Sequence, residues 1–157
     1  SSLGFRKFTT ESMAIGCGLL LFSFVFNFSY NLFLSLFNLQ AQVDLMPIME
    51  DLSSPWWLMV TGIIIAPIAE EIVFRGFFFS GLRESYGWKK AAFISAGMFA
   101  FMHLQPLAVL PIFGLGLIFA YLYHKSNSIW PGMILHIIMN SLSLGAVYAA
   151  SKLGVGI

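Results

Sequence analysis

PWWLMVTGIIIAPIAEEIVFRGFFFSGL, residues 55–82, is long and apolar enough to cross a bilayer, yet it holds Glu70, Glu71 and Arg75 in its interior. A spanning helix needs roughly 20 mostly apolar residues. A charge at bilayer depth costs at least about 2.5 kcal/mol, so an ionisable residue kept there is a candidate for function. The start of the stretch suits a helix. Ser54 fits the cap, and Pro55 fits the first turn, where its missing N–H is not needed.

The rest of the chain reads the same way. Of its 157 residues, 59% are hydrophobic and only 10% charged, against about 25% charged in a soluble domain. The composition predicts an all-α, polytopic transmembrane helical bundle, and residues 1–157 form one membrane domain. A net charge of +1 gives no footprint for nucleic acid, so the expected partners are the lipid bilayer and a membrane-associated peptide or protein. The single cysteine, Cys17, excludes a disulfide within the chain and reads as a small packing residue. The chain opens on Ser1, and its first apolar run is too long for a signal-peptide core.

About five spans are expected, near residues 12–37, 55–82, 90–104, 106–124 and 129–150. Only 38–54 resembles a loop, with room for an interfacial helix. Arg6, Lys7, Arg83, Lys89, Lys90 and Lys125 fall on one side of this layout. Asp44, Glu50 and Asp51 fall on the other, and only Lys152 disagrees. Basic residues collect on the cytoplasmic side, so the N-terminus is expected there.

The polar residues converge in depth. At about 1.5 Å per residue from the cytoplasmic ends, Glu70 lies roughly 18 Å deep, His103 roughly 20 Å, His136 roughly 10 Å and Asn140 roughly 16 Å. His136 and Asn140 are four residues apart and share a helix face, as do Phe99 and His103. Glu71 and Arg75 stand in the favourable order for an ion pair. Glu70, about 100° round the helix from Glu71, is left free to face His103 and His136.

A desolvated carboxyl without a close cation suits general acid or base work near neutral pH. Beside a histidine it can take a proton from water. An imidazole and an amide on one face, His136 and Asn140, can donate to a developing oxyanion. Together these groups describe hydrolysis of a peptide bond. Glu70, His103 and His136 also match the ligand set of several catalytic zinc sites, so a metalloprotease remains the alternative at this point. HExxH and the GxSG serine motif are absent, and no Asp lies in a predicted span.

Three motifs carry a resemblance. They are Glu70-Glu71-Ile72-Val73-Phe74-Arg75 (EExxxR), Phe99-Ala100-Phe101-Met102-His103 (FxxxH) and His136-Ile137-Ile138-Met139-Asn140 (HxxxN). In this order the chain resembles the CPBP or Abi intramembrane proteases, which include the CAAX prenyl endopeptidase of Ras processing and bacteriocin-processing and immunity proteins. The resemblance implies a CAAX-protease-like core over about 55–145. It implies that Glu70 and His103 activate water, that His136 and Asn140 form the oxyanion hole, and that Glu71 and Arg75 support them. It favours a metal-free, glutamic-type site over zinc. Many relatives carry more spans than five.

Competing readings are a catalytically inactive immunity or scaffold protein and a proton-coupled carrier. The intact polar set weighs against the first. The lack of an inverted repeat weighs against the second. His124, beside Lys125 at a helix end, needs only an interfacial role, and Gly114 and Gly116 do not make GxxxG. The small size points to a prokaryotic inner-membrane protein, where a prenylated CAAX substrate is disfavoured; the sequence leaves open whether the substrate is that, a bacteriocin leader or a C-terminal sorting signal.

Overall fold

In the computed structural model, which describes residues 3–41 and 44–153, the described residues outside loops and turns are helical. The elements are α1 (Thr10–Ser35), α2 (Met46–Asp51), α3 (Trp56–Tyr86), α4 (Trp88–Met102), a 3₁₀ turn (Pro106–Ala108), α5 (Val109–Ser126) and α6 (Trp130–Leu153).

The boundaries follow from local chemistry. Thr9 caps α1 by accepting the Ser12 N–H, with Glu11 in the first turn. Gly87, at φ 76°, breaks α3 from α4. Asn127 ends α5 in the left-handed region at φ 50° and sends its N–H back to the Tyr123 carbonyl. Ser128 Oγ then accepts the Trp130 N–H and starts α6.

Four helical segments are long and apolar enough to cross a membrane: Thr10–Ser35, Trp56–Tyr86, Pro106–Ser126 and Trp130–Leu153. The expected span at 90–104 is different. Its helix, Trp88–Met102, has 15 residues, which reach about 22 Å at 1.5 Å each. That is short of the roughly 30 Å hydrocarbon core. The expected loop at 38–54 does hold a short helix, α2, with Met49 buried.

Packing explains why a short helix suffices. On α4, Ala92, Ala96 and Ala100 repeat every four residues and are all buried. They let α5 approach so closely that a Cβ on Gly116 would stand 2.8 Å from Ala96 Cβ. Small residues at such seams are the usual route to tight helix packing in lipid. α1 packs on α5 and α6, while Leu21, Phe22 and Phe28 stay exposed on its outer side. Cys17 lies exposed there too, so the packing role expected of it is not what the structure shows.

The long helix α3 is not uniform. It is π-helical over Thr61–Ile65 and again over Ile72–Phe79, and α-helical between them over Ala66–Glu71. Glu70 and Glu71 close that middle segment. Single π turns inside α-helices are uncommon and concentrate at functional sites. Pro67 helps to set the pattern, because it has no N–H to donate backward.

Candidate active site

Glu71 is buried to 1% exposure and sits at the centre. Its Oε1 lies 3.1 Å from Arg75 Nη1 and 3.2 Å from His136 Nδ1. Its Oε2 has no hydrogen-bonding partner and rests against Gly132. A Cβ at Gly132 would come within 3.1 Å of that oxygen, so the glycine makes room for the carboxylate.

Arg75 is equally buried. Besides Glu71 it reaches the Gly116 carbonyl through Nη2 at 3.1 Å. Its remaining faces are covered by rings, with Cζ 4.5 Å from the Phe99 centroid and 5.2 Å from that of Phe119. Cation–π contact partly replaces the lost hydration of a guanidinium so enclosed.

His136 joins the two glutamates. Its Nδ1 faces Glu71, and its Nε2 lies 3.5 Å from Glu70 Oε2. The ring stacks on Phe119 at 4.9 Å. Glu70 keeps 28% of its side chain exposed against 1% for Glu71. Of the two carboxylates, Glu70 is therefore the one that opens to the outside of the bundle.

The other two predicted residues sit further out. His103 caps the C-terminal end of α4, and its Nδ1 lies 2.7 Å from the Phe99 carbonyl. A carbonyl only accepts, so this nitrogen carries the proton and a neutral His103 has its Nε2 lone pair free. No hydrogen bond or ion pair joins His103 to Glu70. The link runs through Phe99, whose ring touches those of His103 and His136 edge-on at 4.7 and 5.9 Å. Asn140 Nδ2 donates to the Gly62 carbonyl at 2.8 Å. That leaves its second N–H uncommitted.

Several contributors were not anticipated. Ser95, fully buried on α4, donates to the Phe74 carbonyl at 2.8 Å inside the second π segment. Ser80 Oγ donates to the Gly76 carbonyl in the same segment. Gly132 lies four residues before His136, so its place on the His136–Asn140 stripe was readable from spacing. Nothing in the sequence pointed to Phe119.

A zinc ion needs three protein donors converging on one point. Glu70 and His136 converge, but no three His, Cys, Asp or Glu side chains among the described residues gather closely enough to hold a metal. As placed here, His103 does not join Glu70 and His136 in one such group.

A helical bundle with four bilayer-length segments and a buried polar cluster defines an integral membrane protein. Residues 52–142, over half the chain, match the model of the Type II CAAX prenyl endopeptidase Rce1-like family. The chain belongs to that family, whose name is that of an endopeptidase class. It is 32% identical over 84 residues to "Putative membrane peptidase YdiL" of Bacillus subtilis (strain 168), an alignment covering 54% of this chain. The chain spans only 34% of the length of that relative. No solved structure matches significantly.

Proposed function

We propose that this protein is a membrane-embedded endopeptidase of glutamic type, with Glu70 and His103 activating water and His136 and Asn140 receiving the oxyanion. The observation that carries the reading is His136 held between Glu71 and Glu70 inside a lipid-facing bundle. Arg75 offsets the charge of Glu71, which leaves Glu70 facing the His136 ring. Glu71 fixes the ring as the aspartate of a hydrolytic triad does.

Water enters beside Glu70, the exposed carboxylate. As its oxygen attacks the carbonyl carbon, its proton passes to Glu70 or to the free Nε2 of His103. Negative charge grows on the carbonyl oxygen. The Nε2–H of His136 turns from Glu70 to that oxygen, and the second amide N–H of Asn140 joins it. Collapse of the tetrahedral intermediate breaks the C–N bond, and the proton taken from water goes to the leaving nitrogen. Hydrogen bonds of this kind are often long before substrate binds and tighten afterwards.

The substrate is a membrane-associated peptide, and the unit is a single membrane domain with its protease core at about 55–145. The basic residues at the helix ends favour an N-terminus in the cytoplasm, and the likeness to a Bacillus protein supports a bacterial plasma membrane. The test is cleavage of transmembrane peptides by the protein in vesicles, read by mass spectrometry. Glu70→Gln should insert normally and cut nothing. Full cleavage by that variant overturns the mechanism.

A further inference from the structure

Residues 3–8 do not trail away from the bundle. The Ile129 N–H donates to the Gly4 carbonyl at 2.9 Å, and Ser128 Oγ donates to the Arg6 carbonyl at 2.6 Å. Gly4, at φ 79°, is pressed against the Tyr123 ring, where a Cβ would overlap it. The segment is thus strapped across the α5–α6 connection, and α1 begins directly after it at Thr10.

Between this strap and the start of α6 lies an open groove of about 470 Å³, lined by Phe5, Arg6, Lys7, Phe8, Trp130 and Ile134. Phe5 and Trp130 meet edge to face at 5.8 Å. Arg6 and Lys7 are exposed and form no ion pair among the described residues, not even with Glu11 one turn on. The groove sits where α1 and α6 both start. It lies outside residues 52–142 except for Trp130 and Ile134, and its lining includes none of Glu70, Glu71, Arg75 and His136.

We infer that this groove binds one anionic phospholipid, with the phosphate between Arg6 and Lys7 and the upper acyl chains along Phe8, Trp130 and Ile134. The lining is divided as a phospholipid is: two unpaired cations and an aromatic, apolar wall. Tryptophan at a helix end is a common marker of headgroup depth. Paired basic residues at that depth attract anionic lipid at about 1 kcal/mol each. A soluble phosphate would use the cations but gain nothing from the rings. The strap's backbone bonds fix the main chain at Gly4 and Arg6 before the lipid arrives, which lowers the ordering cost of binding.

The test is native mass spectrometry of the full chain released from vesicles of equal phosphatidylglycerol and phosphatidylcholine. The wild-type protein should retain one phosphatidylglycerol in clear preference, and millimolar inorganic phosphate should not displace it. Arg6→Gln/Lys7→Gln should weaken that preference by about 20- to 30-fold at low salt. Lys89→Gln/Lys90→Gln removes the same charge elsewhere and should keep it. All four side chains are exposed, so folding should survive, and an unchanged melting temperature checks this. Equal retention of both lipids by wild type overturns the proposal. So does an unaltered preference in the Arg6/Lys7 variant, equal loss in the Lys89/Lys90 variant, or displacement by phosphate.

Discussion

The Asn140 side chain donates to the Gly62 carbonyl at 2.8 Å, a carbonyl that the helix itself leaves unpaired. In the π segment the Ala66 N–H reaches back five residues to Thr61. The next such bond would run from residue 67 to Gly62, but residue 67 is Pro and has no N–H. Asn140 supplies the missing donor and so ties α6 to α3 just ahead of the two glutamates.

Asn140→Ala should therefore have two separable effects. If Asn140 is an oxyanion donor, its loss should lower turnover by about 10²–10³ with KM nearly unchanged. Loss of the bond to Gly62 costs about 0.6–1.7 kcal/mol, as for other intramembrane hydrogen bonds. Adding Pro67→Ala restores a backbone donor and should recover stability without recovering turnover. Thermal melts and steady-state kinetics on both variants check this. An unchanged kcat in Asn140→Ala removes Asn140 from the site.

The two adjacent glutamates should respond in opposite ways. If Glu70 is the base, Glu70→Gln should abolish activity while stability holds. Glu71→Gln leaves Arg75 without its counter-charge at 1% exposure, and breaking a buried pair in this way costs about 3–5 kcal/mol. Arg75→Met combined with Glu71→Gln removes both charges and should fold better than Glu71→Gln alone. Melting temperatures of the four proteins decide the point. A Glu71→Gln protein as stable as wild type contradicts the pairing.

Glycine substitutions test the packing. Gly132→Ala forces Glu71 Oε2 to move, and Gly116→Ala pushes against the backbone of Ala96. Overpacking of this kind costs about 1–3 kcal/mol. Gly132→Ala should also lower turnover, because Glu71 orients His136. A Cβ at Gly114 would meet nothing within 4 Å, so Gly114→Ala should be silent. Comparable melting shifts at all three positions refute the contacts described.

The sequence made some of these relations legible and hid others. Helical spacing alone pairs Glu71 with Arg75, and the structure has them 3.1 Å apart. Depth and face together bring His136 to Glu70. What spacing cannot show is which ring nitrogen meets which carboxylate, since that depends on how α6 is turned against α3. The depth estimate also put His103 in the slab as though its helix ran on, whereas α4 stops at Met102 and His103 turns to cap Phe99. The π segments were invisible because hydrophobic patterning scarcely distinguishes five-residue from four-residue closure, though Pro67 was a clue. Phe99 looked uninformative among 17 phenylalanines, yet it touches Arg75, His103 and His136.

His103 is the residue on which the glutamic and zinc readings diverge. Its Nδ1–H is committed to the Phe99 carbonyl at 2.7 Å, which fixes Nε2 as the proton acceptor. If Nε2 shares the proton taken from water with Glu70, His103→Ala should lower kcat by about 10²–10⁴. The side chain is only partly buried, so the melting temperature should barely move. Purified active protein should hold no stoichiometric zinc, and a chelator should leave the rate unchanged. A zinc-ligand role gives the opposite set of results. Zinc would then be present at one equivalent and lost in His103→Ala, and activity removed by a chelator would return with added zinc. Measuring metal content and turnover on wild type and His103→Ala together separates the two, because a general base changes turnover alone and a ligand changes both.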